Sequence, residues 1–198
     1  MLDRFKKENP FSGFSGFGGG GLGLSGGSSD GTTDYTMTLN NPTTSGFTFQ
    51  GSGLGSACST TNRVRSNSQA DPDEASSLRF EFSPSISTIT EFELCVTGDL
   101  GESTTPHGLN YKFNDTFGGG GFTTYNNTNN IPNNTNTVMD LTSAASSAAP
   151  ISNFNLQIFG DFDYNYLWMW VSYIKINGVY VTGTGSGTGN NRTYTFSA

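Results

Sequence analysis

Asp161-Phe-Asp163-Tyr-Asn165 alternates oxygen donors as the start of a calcium loop does. An EF-hand loop also needs glycine at its sixth position for a sharp turn and glutamate at its twelfth as a bidentate ligand. Tyr166 and Ser172 stand there instead. Asp161 and Asp163 are therefore a weak metal candidate and read first as a polar connection, and no cofactor is expected. Asp71-Pro-Asp73-Glu74 gathers three carboxylates, but a glycosidase needs two of them facing each other across a cleft, and this run reads as a solvated loop.

The nucleophilic chemistries lack their parts. His107 is the only histidine, and its setting, Thr-Thr-Pro-His-Gly, is a loop that offers no nucleophile elbow. The run Gly118 to Gly121 lacks the following Lys-Ser/Thr of a phosphate loop, and Phe117 and Phe122 flank it instead. Cys58 and Cys95 are too few and too far apart for a metal site without further ligands. Two small buried thiols is their plainer reading, and a disulfide is the alternative. The Asn-x-Thr sequons at Asn114, Asn126, Asn133 and Asn191 read as chance in an Asn/Thr-rich chain. The chain is thus not expected to be an enzyme.

Binding chemistry is better represented. Tyr125, Tyr164 and Tyr166 lie beside Asn-rich loops, and aromatic faces with amide donors suit carbohydrate. They are glycan-binding candidates; the competing reading is core and turn residues. Trp168 and Trp170 share one strand face and read as core rather than as a ligand platform.

What must position these residues is a chain of 198 residues, one domain in size. Gly, Ser, Thr and Asn number 27, 24, 26 and 20, about half the chain, while charged residues are 13% and aromatic residues also 13%. Scarce Ala, Leu, Glu and Lys argue against a helical bundle, and plentiful aromatics argue against disorder. A net charge of -7 with 9 Lys+Arg is a poor match for nucleic acid or an anionic membrane, and neither is expected as a partner. No run approaches the ~20 apolar residues of a membrane helix. Glycine and serine interrupt the apolar positions after the basic residues near Met1, so no export signal is expected.

Residues 1–33 and 34–198 differ in kind. In the first, Phe11, Phe14 and Phe17 recur every third residue before Gly18 to Gly21 and Leu22-Gly-Leu24. Such a stretch is a flexible tail or an arm whose apolar side chains enter pockets on a partner, and we take it as an arm. Its anchoring residues are Phe5, Phe11, Phe14, Phe17, Leu22 and Leu24. From Asp34 onward short alternating runs dominate, including Tyr35–Leu39, Phe47–Gln50, Leu78–Phe82, Ile89–Val96, Leu109–Phe113 and Phe154–Phe159. The Leu78–Phe82 run is expected to stop at Ser83-Pro84. A helical turn over Thr142 to Ala149 is expected to stop at Pro150. Trp168 to Ile176 is the most hydrophobic run and the expected central strand. Asn177-Gly178 between Ile174-Lys-Ile176 and Val179-Tyr-Val181 is a type I′ hairpin signal, because both central residues need positive φ. The spacing of nine or ten strands predicts an all-β antiparallel sandwich, jelly-roll-like, with an extended Gly/Phe-rich N-terminal arm.

The run Leu78-Arg-Phe-Glu-Phe-Ser-Pro84-Ser-Ile86-Ser-Thr-Ile89-Thr-Glu-Phe92-Glu-Leu-Cys-Val-Thr-Gly98 and the closing Tyr166-Leu-Trp-Met-Trp-Val-Ser-Tyr173-Ile-Lys-Ile-Asn177-Gly178-Val179 carry a resemblance. Over roughly residues 78–183 the chain resembles the β-sandwich module of marine, cyanophage-like tailed-phage structural and tail-fibre proteins, whose members often begin with a glycine-rich lead-in. The resemblance implies a virion structural protein, a capsid decoration or a short tail appendage, assembled in the bacterial host cytoplasm. It implies other virion proteins as partners through the arm, and a homo-oligomer. The alternative it implies is a receptor-recognition module of a tail fibre that binds a host surface glycan. The chain has room for one module, where the family often strings several in series.

Overall fold

A computed structural model of the chain describes residues 33–40, 46–67, 77–99, 108–115, 121–125, 134–159, 168–187 and 191–198. The expectations at Phe5, Phe11, Phe14, Phe17, Leu22, Leu24, Tyr164, Tyr166, Asp161, Asp163 and His107, and at the carboxylates Asp71, Asp73 and Glu74, lie outside the described residues. A division of the chain at Thr32 sets off the unit Thr32–Ala198, and every element below belongs to it.

Apolar and polar side chains alternate along a strand because successive Cβ atoms point to opposite faces. That pattern yields two antiparallel sheets among the described residues. The first contains β1 (Asp34–Asn40), β4 (Ser77–Ile86), β6 (Gly108–Phe113), β7 (Thr123–Tyr125), β9 (Ile151–Phe159) and β12 (Asn191–Ser197). The second contains β2 (Phe47–Gln50), β3 (Arg63–Ser66), β5 (Phe92–Asp99), β8 (Asn136–Asp140) and β10 (Trp168–Ile176), with β11 (Val179–Tyr180) folded back on β10. Their orders are β12-β1-β4-β9-β6-β7 and β2-β3-β10-β5-β8. From β3 to β6, and again from β8 to β10, consecutive strands cross from one sheet to the other. The chain is an all-β sandwich, and β10 sits inside the second sheet as its hydrophobicity predicts.

Phenylalanines close the space between the sheets. Phe80, Phe92 and Phe154 are fully buried. Phe154 of β9 meets Phe92 of β5 across the sandwich with ring centroids 5.2 Å apart, and Phe80 and Phe113 flank it at 5.7 and 5.0 Å. Met37, Leu39, Leu78, Leu156, Leu94, Val96 and Ile174 fill the layers to either side. A chain poor in aliphatic residues still builds a core because each aromatic ring covers a large apolar area.

Three elements depart from expectation. The strand expected to stop at Ser83-Pro84 runs on to Ile86. A register shift between Glu81 and Ile86 in its pairing with β9 leaves residues 83–85 exposed, where the N–H that proline lacks is not needed. The expected strand from Ile89 begins only at Phe92, although Ile89 is buried in the lead-in. The helix α1 (Thr142–Ala148) is longer than one turn. It ends at Ala149-Pro150, which is a cis bond, as is Ser83-Pro84.

The fourth difference concerns the tryptophans. Met169 and Val171 point into the core, so period two places Trp168 and Trp170 on the opposite, outer face of the second sheet. They are not part of the core between the sheets.

Candidate functional site

The outer face of the second sheet carries a ladder of arginines and tryptophans. On β3, Val64 points inward, so Arg63 and Arg65 point outward next to the tryptophans of β10. The Arg65 guanidinium lies 3.5 Å from the Trp168 ring centroid, and that of Arg63 lies 4.2 Å from the Trp170 ring. Arg63 Nε also donates to Gln50 Oε1 at 2.7 Å, which ties β2 to the ladder. A cation over an indole face is held by the ring quadrupole. Here it lets a wide aromatic surface leave water without reaching the core, and Trp170 is only 3% exposed.

Beside the ladder, β10 carries an irregularity between Val171 and Tyr173. Ser172 is freed by it to hold the loop that precedes β3. Its carbonyl accepts from Gly55 N at 2.8 Å, and its hydroxyl donates to Ser59 O at 2.8 Å. The same loop carries Cys58 over the outer face, where it forms a disulfide with Cys95 of β5. This corrects the plainer reading of two separate thiols. Cys95 alternates with the inward Leu94 and Val96 and so faces the loop, and the Cα atoms are 5.5 Å apart, within bridging reach.

At the far end of this face the Asn177-Gly178 turn, β5 and the start of α1 border an open cleft of about 560 Å3. Thr90, Glu91, Glu93, Asp140, Thr142, Asn177 and Gly178 line it. Asn177 and Gly178 both have positive φ, 50° and 86°, as a type I′ turn requires. Asn177 does more than turn the chain. Its Oδ1 accepts from Thr90 N at 2.8 Å, and its Nδ2 donates to Thr88 O at 2.8 Å, so it fixes the lead-in to β5 as one wall of the cleft. Asn177→Ala is expected to destabilise the domain by about 1–3 kcal/mol, by stranding polar groups and straining φ. Asn177→Gly is expected to recover only the backbone part, a difference that urea denaturation of the two variants resolves.

Charges in the cleft are paired on one side and open on the other. Lys175 Nζ bonds Glu91 Oε1 at 2.7 Å, an ion pair that raises the lysine above its usual range. Glu91 Oε2 accepts from Gly178 N at 2.9 Å. Tyr173 donates its hydroxyl to Glu93, and burial, then this bond, push the phenol upward. The Thr142 backbone N–H, and then its hydroxyl, hold the Asp140 carboxyl below the usual carboxylate range. Glu93 and Asp140 stand directly opposite on β5 and β8. The outcome is a hydrogen-bond-accepting surface edged by Tyr173 and Tyr180, whose rings meet edge to face at 5.4 Å. Among the described residues no group of three or more His, Cys, Asp or Glu is placed to hold a metal ion.

No protein-family model and no curated protein matches the chain. The site is therefore read from its own geometry.

Of the glycan candidates, Tyr125 is the one within the described residues. It ends β7, and its hydroxyl lies 3.4 Å from Val138 O and 3.3 Å from Asp140 N. It thus latches the edge of the first sheet to the edge of the second, next to the cleft rather than in it. The cleft residues escaped sequence reasoning because they come from three segments distant in the chain. Only Asn177-Gly178 carried a signal, and that signal was for a turn.

Proposed function

We propose that the chain is a structural protein of a tailed-phage virion, a surface β-sandwich attached to the particle through residues 1–33 as a capsid decoration or short tail appendage. The observation that carries this reading is the division of the chain at Thr32. Phe5, Phe11, Phe14, Phe17, Leu22 and Leu24 fall outside the sandwich unit, which has its own aromatic core. Phenylalanines entering partner pockets contribute about 1.5–3 kcal/mol each on burial, enough to offset ordering of a short glycine-rich segment. The resemblance over residues 78–183 supplies the kind of partner, namely other virion proteins and further copies of the chain. Deleting residues 1–24 is expected to leave a folded sandwich that no longer joins particles. Normal incorporation of the truncated protein into purified particles would refute the anchoring role.

A second reading, recognition of a host surface glycan, draws support from the cleft. Carboxylates, threonines and an asparagine beside tyrosine rings suit sugar hydroxyls and the apolar face of a pyranose. On this reading Glu93→Gln with Asp140→Asn removes glycan binding while leaving the fold intact. Screening the isolated protein and this double variant on a glycan array tests it, and an absence of signal for the native protein counts against it.

A further inference from the structure

The outer face of the first sheet carries a polar row that the proposed function does not use. Register places Arg79 of β4 opposite Asn155 of β9, and Asn155 opposite Lys112 of β6. Side chains directly opposite on antiparallel strands start from Cβ atoms about 4.5–5.5 Å apart. Asn155 is fully buried, and Lys112 is only 5% exposed, which is uncommon for an ammonium group.

The surroundings of this amine and this amide are specific. Lys112 Nζ bonds Asp115 Oδ2 at 2.9 Å and lies 4.5 Å from the centroid of the Phe122 ring. The Asn155 amide is held at both ends: Arg79 Nη1 donates to its Oδ1 at 3.3 Å, and its Nδ2 donates to Asn153 Oδ1 at 3.1 Å. The same Arg79 Nη1 donates to the Asp115 carbonyl at 2.7 Å, which draws the carboxylate-bearing turn onto the row. An amine, an oriented amide carbonyl, a carboxylate at the amine and a cation at the carbonyl oxygen are the components of an acyl transfer.

We propose that Lys112 and Asn155 join in an intramolecular isopeptide bond. The Lys112 ammonium passes a proton to Asp115, and the neutral amine attacks Cγ of Asn155. As the new C–N bond forms, charge moves onto Oδ1, where Arg79 stabilises it. Asp115 hands its proton to Nδ2, the Cγ–Nδ2 bond breaks and ammonia departs. Asp115 then takes the proton that the new amide nitrogen sheds and passes it to the ammonia, which leaves as ammonium. One amide replaces another, nothing is oxidised or reduced, and no water is consumed. Holding both groups opposite each other on neighbouring strands supplies the high effective concentration that an unactivated amide needs. The product ties β6 to β9 covalently.

Intact-mass spectrometry of the purified full-length protein, with its disulfide reduced, tests the proposal. The expected mass is lower than that of the sequence by one ammonia, and digestion yields a branched peptide joining Lys112 to Asn155. Lys112→Arg, Asn155→Ala and Asp115→Ala are each expected to restore the full mass. The native protein serves as the decisive sample should any variant fail to fold. Full sequence mass in the folded native protein after prolonged incubation overturns the proposal. So does an ammonia loss that peptide mapping assigns to Asn177-Gly178, where succinimide formation gives the same mass change.

Discussion

Phe154→Ala is expected to destabilise the sandwich by about 3–5 kcal/mol, the range for truncating a buried aromatic residue. The reason is position. Phe154 is the ring at which the two sheets meet, in contact with Phe80 of its own sheet, Phe92 of the other and Phe113 of β6. Truncation removes apolar area from the core and opens a cavity lined by rings held on three different strands, which cannot all move inward together. For a chain of this size the loss lowers the melting temperature by roughly 6–20 °C. Phe154→Leu, which keeps most of the volume, is expected to cost about half as much or less. Phe47→Ala is the contrasting case, since Phe47 is only partly buried against the core and lies on the edge strand β2. Thermal denaturation of the three variants checks the ranking. A Phe154→Ala protein no less stable than Phe47→Ala would place the packing centre elsewhere.

That ring cluster also shows how far the sequence could be read. Period-two alternation identifies which face of Phe154-Asn-Leu156 or Phe80-Glu-Phe82 is apolar, and those faces are the ones that enter the core between the sheets. Alternation does not say which sheet a strand joins, so the meeting of Phe154 with Phe92 was invisible. The Asn177-Gly178 turn was legible because its chemistry is local, whereas the bonds from Asn177 to Thr88 and Thr90 join positions 89 and 87 residues apart. Trp168 and Trp170 illustrate the opposite failure. Their size and hydrophobicity favoured the core, yet Met169 and Val171 take the inward positions and fix the tryptophans outside. The arginines that make this acceptable, Arg63 and Arg65, lie about a hundred residues earlier and are brought alongside only by the pairing of β3 with β10. Composition speaks for burial in general and not for the side of a sheet on which burial occurs. The same limit hid the row Arg79, Asn155 and Lys112, three unremarkable polar residues until β4, β9 and β6 align them.

Removing the Cys58–Cys95 bond is expected to have the second large effect, and a different mechanism produces it. The linked residues are separated by 37 positions, and the chain-entropy relation for a loop of that length gives a stabilisation of about 4 kcal/mol, acting mainly on the unfolded chain. The folded loop has other anchors that survive without the bond: the paired backbone of Leu54 and Gly183, the Gly55 N–H on Ser172 O, and the Ser172 hydroxyl on Ser59 O. Reduction should therefore leave the folded structure close to intact while lowering the melting temperature by roughly 8–16 °C. A double variant, Cys58→Ser with Cys95→Ser, is expected to melt near the reduced native protein and to be indifferent to reductant. A reductant-sensitive double variant, or a native protein whose melting is unchanged by reduction with both thiols shown free by alkylation, contradicts the argument. The consequence for function follows from where such bonds persist. Thiols stay reduced in a bacterial cytoplasm and close outside it. A chain that assembles there, as the resemblance implies, would gain this increment only after release, when the loop over the second sheet is already seated by Ser172 and the two sulfurs need only find each other.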